Sequence, residues 1–264
     1  MGPCEANQLA WVRERARLPG HEIHEFPYCV AVVPHRPAGL NQVSGCRLDE
    51  AEWPDQVEAV LDVFQRAWQP ANWLVGPDGT PPELGRLLRR HLRMMGPVYL
   101  PAMELDLSLY EPVKSSLEAG LVEDWDEAAA PGHPVTYFST KASRADTLAT
   151  KREVELLRNA FHVVSRVGGR PASSCTAFVH EGVVGIYDVA TVEELRRQGA
   201  AAAAIDFALR RARDLGCQTA VLQAHKRSVG LYDRLGFKET GMFQSMYYSR
   251  TRMEAAAVAK GYRA

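Results

Sequence analysis

The chain has 264 residues, 46% of them hydrophobic and 24% charged, enough apolar material for a sizeable core in one large or two ordinary domains. Lys+Arg 31 against Asp+Glu 32 leaves a formal net charge of -1, which disfavours a basic chain built to neutralise nucleic-acid phosphates. No apolar run is long enough to span a bilayer and the N-terminus lacks a continuous hydrophobic signal segment, so a cytoplasmic protein with no membrane partner is expected.

In chain order, Val57, Val60, Leu61, Phe64 and Trp68 share one helical face. Leu84, Leu87, Leu88, Leu92 and Met95 share another, with Arg86, Arg89, Arg90 and Arg93 around it as a solvated surface. Residues 28–33, 98–100 and 103–107 are short strand candidates. Turn-forming clusters at 34–39, 76–82 and 130–134 punctuate this half, and a change of texture near 140 predicts domains over 1–140 and 141–264.

The second half is more regular. Val154, Leu157, Phe161 and Val164 predict a helix over 151–164. Residues 171–179 and 183–190 read as strands around a Glu181-Gly182 hairpin turn. A helix over 199–215 buries Ala201, Ile205, Ala208, Leu209 and Ala212 and stops at Gly216. A strand at 219–223, a short helix at 227–235 and a strand at 243–249 complete the order. The hairpin argues against a purely parallel sheet. The pattern predicts an α/β (α+β) fold, with a mixed, mostly antiparallel sheet flanked by helices.

The stretch 188–212, DVATVEELRRQGAAAAAIDFALRRA, is the chemically informative one. Arg196 and Arg197 lead into a helix opening with Gln198, Gly199, Ala200 and Ala201, where unpaired amides and the helix dipole can hold phosphate oxygens. Gly199 allows close approach and small Ala201 leaves the way open, while the arginines add charge-assisted donors. An exposed arginine pair before an alanine-rich helix is the alternative. No Gly-Lys-Ser/Thr follows and the stretch is not GxGxxG, so neither nucleotide fingerprint applies.

Arg196-x-x-Gly199-x-Ala201, followed by Leu231-Tyr232-Asp233-Arg234-Leu235-Gly236-Phe237, resembles the GCN5-related N-acetyltransferase (GNAT) superfamily over roughly 169–249. The resemblance implies that the amides of Gln198, Gly199, Ala200 and Ala201, aided by Arg196 and Arg197, bind the pyrophosphate of acetyl-CoA or another acyl-CoA. It implies a strand splayed from its neighbour, with the backbone near Val189 and Thr191 pairing with the pantetheine arm. His225 and Ser228, after the third strand, complete the cofactor side. Many members have proline in place of Glu193 and Asn in place of His225. Tyr232 falls where the family keeps its general acid for the departing thiolate; a helix tyrosine packed on the sheet is the alternative.

For the base that takes the amine's proton, Asp188, Glu181, His180 and His225 are candidates, Asp188 first because it sits on the strand entering the loop. The resemblance implies direct transfer of an acyl group, most often acetyl, to a primary amine of a small molecule or peptide, with no nucleic acid as partner. Other functions on the same scaffold are an acyl-CoA decarboxylase, a carrier-protein-dependent acyltransferase, or a non-catalytic CoA-binding regulatory protein. The superfamily includes tandem members whose N-terminal copy has lost its phosphate loop. The first half, with 80–107 as its recognisable part, looks like such a degenerate copy and implies one cofactor site.

Trp68, Trp73, Tyr99, Met103 and Glu104 are candidates for lining an acceptor pocket, or else core residues. The five cysteines, Cys4, Cys29, Cys46, Cys175 and Cys217, form no CxxC and no metal-ligand spacing, so neither disulfides nor zinc are expected. Cys175 lacks a paired histidine or glycine-rich turn and is expected to be a buried free thiol.

Overall fold

The structure, a computed structural model, describes residues 1–35, 39–138 and 143–262, so Arg36, Pro37 and Ala38 of the expected 34–39 turn lie outside the described residues. The chain begins with α1 (Pro3–Ala16), then β1 (His21–Phe26), β2 (Cys29–Pro34), β3 (Gln42–Ser44), α2 (Trp53–Arg66), β4 (Ala71–Val75), α3 (Leu84–Leu92) and β5 (Met95–Asp106). It continues with β6 (Ala119–Leu121), α4 (Trp125–Ala128), α5 (Arg144–Val154), β7 (Ala160–Val167), β8 (Arg170–His180) and β9 (Val183–Thr191). Helix α6 (Ala200–Asp214), β10 (Thr219–Gln223), α7 (Val229–Arg234), β11 (Lys238–Tyr248) and α8 (Arg250–Ala259) end it.

These elements form two compact units, Met1–Ala102 with Gly241–Ala264, and Met103–Thr240. The expected boundary lay near 140; here the first unit takes most of β11 from the far end of the chain, and the second is the continuous stretch 103–240 that begins inside β5. In the first unit β4 pairs antiparallel with β11, Leu74 opposite Ser245 and Trp73 opposite Met246. In the second, β5 lies beside β10, and the Leu107 N–H donates to the Gln218 carbonyl at 2.8 Å.

The first unit has an antiparallel β1–β2–β3 run and a parallel β3–β4 pair joined through α2. Val57, Val60, Leu61 and Phe64 of α2 are buried with Trp73, Leu84, Leu88, Met246 and Met253 in one core. That helical face is the expected one, but α2 ends before Trp68, which adopts a φ of 55°. Met95, assigned to the α3 face by its spacing, instead starts β5.

The second unit repeats the plan. β6 to β9 run antiparallel, and β9 and β10 are parallel, joined through α6. Small Ala204, Ala208 and Ala212 on α6 permit close approach to the sheet, where Ile205 and Leu209 fill the core with Val163, Ile186 and Phe237. The helix expected over 151–164 is instead the end of α5 and strand β7. Val163 joins the α6-side core while adjacent Val164 packs with Val122, Ala128 and Val135, so the apolar run has two buried faces. A strand satisfies that requirement, and its β-branched and aromatic residues favour it.

Gly96 adopts a φ of 114°, and a Cβ there would lie 2.7 Å from the Ser245 carbonyl oxygen of β11. Gly96→Ala therefore combines left-handed strain with a clash against backbone, and is expected to cost at least about 2 kcal/mol. A lowered urea midpoint with an unchanged slope is the expected reading; an unchanged midpoint would contradict this packing.

Candidate functional site

Strands β9 and β10 are in register only at their beginnings, from Val183↔Thr219 to Gly185↔Val221. The β9–β10 register ends at Gly185↔Val221, and Val189, Ala190 and Thr191 have no register partner on β10 among the described residues, while β8 holds the other edge out to Ser173↔Thr191. The Val192 N–H donates to the Ala172 carbonyl at 2.9 Å, on the β8 side. By alternation, Thr191 and Val189 turn their backbone groups to the open side. The Thr191 carbonyl there takes one long bond from Arg196 Nε, 3.4 Å.

The register of β8 and β9 slips between Ser174↔Ala190 and Thr176↔Tyr187, so Asp188 and Val189 together oppose Cys175 in a bulge. Asp188 takes a φ of 52° within it. Its carboxylate is bonded by Lys151 Nζ of α5. Lys151 also donates to Thr176 Oγ1 at 3.4 Å, and Thr176 Oγ1 lies 2.9 Å from His162 Nδ1. The sequence marked Asp188 but missed Lys151, Thr176 and His162; their convergence depends on β7 being a strand.

After β9, a single 3-10 turn (Glu193–Leu195) carries the chain to Arg196. Arg197 and Gly199 adopt φ of 62° and 86°. Gly199 caps α6 without a side-chain hydrogen bond to the first-turn amides. A Cβ on Gly199 would meet only Leu117 Cδ1, at 3.8 Å, so the space over the loop is open. Arg196, Arg197, Gln198 and Gly199 are exposed, Ala200 is buried and Ala201 half-buried. Arg196 donates to the Tyr137 hydroxyl at 2.6 Å and lies 5.9 Å from the centre of its ring. Uncapped amides, a left-handed glycine and two guanidinium groups are a donor set suited to a phosphorylated ligand.

Helix α7 follows β10. Its Tyr232 is 6% exposed and shares the core of Ile186, Leu222 and Cys175, with Phe237 edge-on at 6.0 Å. Burial, and secondarily Cys175, push the Tyr232 phenol well up, so it is protonated at neutral pH. Exposed His225 accepts from the Arg227 N–H at 3.2 Å through Nδ1, and its carbonyl accepts from the Ser228 N–H at 2.7 Å. Ser228 is half-buried and precedes α7 without a side-chain capping bond.

The other expectations divide clearly. His180 and Glu181 lie at the β8–β9 hairpin, the opposite end of β9 from the loop. His180 pairs with Val183, and the strand from Val183 to Thr191 is about 26 Å long, so both lie far from the loop end of β9. Trp73 and Met103 are fully buried core residues. Half-buried Glu104 lines a groove with Leu109, Arg234 and Lys238. Arg86, Arg89, Arg90 and Arg93 are solvent-exposed. No cluster of metal-ligating side chains occurs among the described residues, and no described helix is long and apolar enough to cross a membrane.

In the first unit, α1 covers the matching ends of the parallel pair β3–β4. Gln8 Nε2 donates to Ser44 Oγ at 3.3 Å. The buried Glu5 carboxylate accepts from Arg47 Nη1 at 2.9 Å and from the Asp78 N–H at 3.1 Å. A Cβ on Gly76 would overlap that carboxyl group. Glu52 and Asp55 open α2 in place of the second unit's arginines.

Residues 122–237 match the family described as "Acetyltransferase (GNAT) family". No curated protein matches the sequence. Among solved structures, a GCN5-related N-acetyltransferase from Kribbella flavida aligns with a TM-score of 0.68 at 19% identity, over 92% of this chain and 95% of that one. A tandem GNAT protein from the clavulanic acid biosynthesis pathway aligns with a TM-score of 0.61 at 11% identity, over 92% and 87%. A GCN5-related N-acetyltransferase from Sphaerobacter thermophilus aligns with a TM-score of 0.58 at 16% identity, over 94% and 90%. At these identities the structural likeness establishes the fold.

All five cysteines are free and buried. Burial pushes the Cys175 thiol up to about 12. At pH 8 its thiolate fraction is then on the order of one in ten thousand. Iodoacetamide is expected to leave Cys175 unlabelled in the folded protein under conditions that fully label it in urea. Labelling of folded protein at the rate of an exposed thiol would contradict the assignment.

Proposed function

With residues 122–237 matching the GNAT acetyltransferase family, we propose that the chain transfers an acyl group from its CoA thioester, most often acetyl from acetyl-CoA, directly to a primary amine of a small molecule or peptide. The observation that supports this most is the parting of β9 from β10 beside an uncapped α6. The opening offers the strand backbone of Val189 and Thr191 to an extended amide-bearing arm, and the loop offers donors to its phosphates.

On this reading, the amides of Gln198, Gly199, Ala200 and Ala201 hold the pyrophosphate, with Arg196 and Arg197 supplying charge. The backbone of Val189 and Thr191 orients the pantetheine arm, and His225 and Ser228 border it after β10. CoA supplies the activated thioester. Tyr232 keeps a proton on its hydroxyl for the departing sulfur, which its raised pKa allows. Asp188 takes the proton that the attacking ammonium must lose. Catalysis consists of orientation and proton management, with no acyl-enzyme. The first unit is the degenerate copy: Glu5 fills the place where the second unit offers amides, leaving one CoA site.

Two measurements test this. CoA at 100 times its dissociation constant is expected to raise stability by about 2.7 kcal/mol, seen as a higher Tm; no shift at millimolar CoA would remove the proposed site. Tyr232→Phe is expected to lower kcat for acetyl transfer by about 10²-fold while CoA affinity is retained. A kcat within twofold of the parent across pH would remove Tyr232 as the acid, and carbon dioxide release from malonyl-CoA without an amine would replace transfer by decarboxylation.

A further inference from the structure

Lys151 is not a solvated surface cation. Its side chain is 15% exposed and its Nζ meets the Asp188 carboxylate at the bulge. A relay of hydrogen bonds fixes it there. His162 Nε2 lies 2.8 Å from the Lys151 carbonyl oxygen, which can only accept, so that nitrogen carries the proton. Its other nitrogen, Nδ1, is hydrogen-bonded to the Thr176 hydroxyl, 2.9 Å away. Thr176 Oγ1 in turn accepts from Lys151 Nζ at 3.4 Å. Trp125 packs edge-on against the His162 ring at 5.7 Å and limits its rotation.

Asp188 and Val189 are consecutive, so covalent geometry keeps that carboxylate within about 5 Å of the Val189 amide. A primary amine is thus built in beside the backbone that would orient an acyl-CoA. The geometry points to Lys151 as a site at which the protein acylates itself when acyl-CoA is bound and no other amine is present. This rests on the acyltransfer reading above and adds a modification site to it.

The step balances without a further reactant. The Lys151 ammonium passes one proton to Asp188, and its nitrogen lone pair forms the C–N bond to the acyl carbon. The C–S bond breaks, and its electron pair leaves on sulfur, which takes the Tyr232 proton. The nitrogen's second proton is lost and restores Tyr232. The products are an Nζ-amide, CoA thiol and a protonated Asp188, which releases its proton to water. The amide carries no charge, so the ion pair to Asp188 is lost.

The test incubates the full chain with acetyl-CoA alone and maps acetyl groups by mass spectrometry over time, with calorimetry of acetyl-CoA binding on the same sample. Lys151 is expected to gain acetyl at least tenfold faster than Lys114, Lys141, Lys226, Lys238 or Lys260. Lys151→Arg is expected to abolish the fast phase, and Asp188→Asn to slow it at least tenfold while calorimetry shows acetyl-CoA still bound. If acetyl-CoA binds and Lys151 reacts no faster than the other lysines, self-acylation is overturned and the acyltransfer reading survives. If acetyl-CoA does not bind, both fall.

Discussion

Two parallel strands that start in register and then part define the second unit. Strand β9 is anchored to β8 on both sides of its bulge, so its path is set, and its register with β10 ends at Gly185↔Val221. Backbone groups in the interior of a protein need partners, and among the described residues the β9–β10 register gives none to Val189, Ala190 and Thr191. The bulge at Asp188 and Val189 concentrates the departure where two β9 residues face one on β8. The alanine-rich face of α6 then lets the helix sit close on the sheet, which brings its uncapped N-terminus to the end of the opening. Tyr232 enters on the helix that follows the departing strand.

The first unit closes the same kind of connection differently. Its parallel pair β3–β4 is likewise joined through a helix, but α1 covers its ends with Glu5 and Gln8, and carboxylates open α2. A buried Glu5 bonded to Arg47 and to the Asp78 amide would repel an anion. Burying that carboxylate is tolerable because both of its oxygens are satisfied. The first unit takes most of β11 from the far end of the chain, and the second begins inside β5, well before the middle of the sequence. The surplus length of the chain is therefore integral to both cores, and neither half of the sequence contains a complete unit.

Much of the second unit was legible. Gly199, Gly216 and the Glu181-Gly182 turn announce themselves because left-handed backbone favours few residues, and all four adopt positive φ. The LYDRLGF segment and the loop arginines are likewise visible as residue types at fixed spacing. The β7 segment was not: Val154, Leu157, Phe161 and Val164 mimic a helical face, and only the demand for two buried faces resolves them as strand. With β7 misassigned, the meeting of His162, Thr176, Lys151 and Asp188 could not be foreseen. The placement of β11 was hidden for another reason, since pairing between residues as distant as Leu74 and Ser245 leaves no periodic trace in the sequence.

Amide hydrogen exchange with and without acetyl-CoA tests most directly whether the opening beside β9 holds the ligand. Slowed exchange is expected across 189–202, with the 44–52 segment of the first unit unchanged. Unaltered exchange at 189–202 under saturating acetyl-CoA, or equal protection at 44–52, would contradict a single CoA site formed by the parting of β9 and β10.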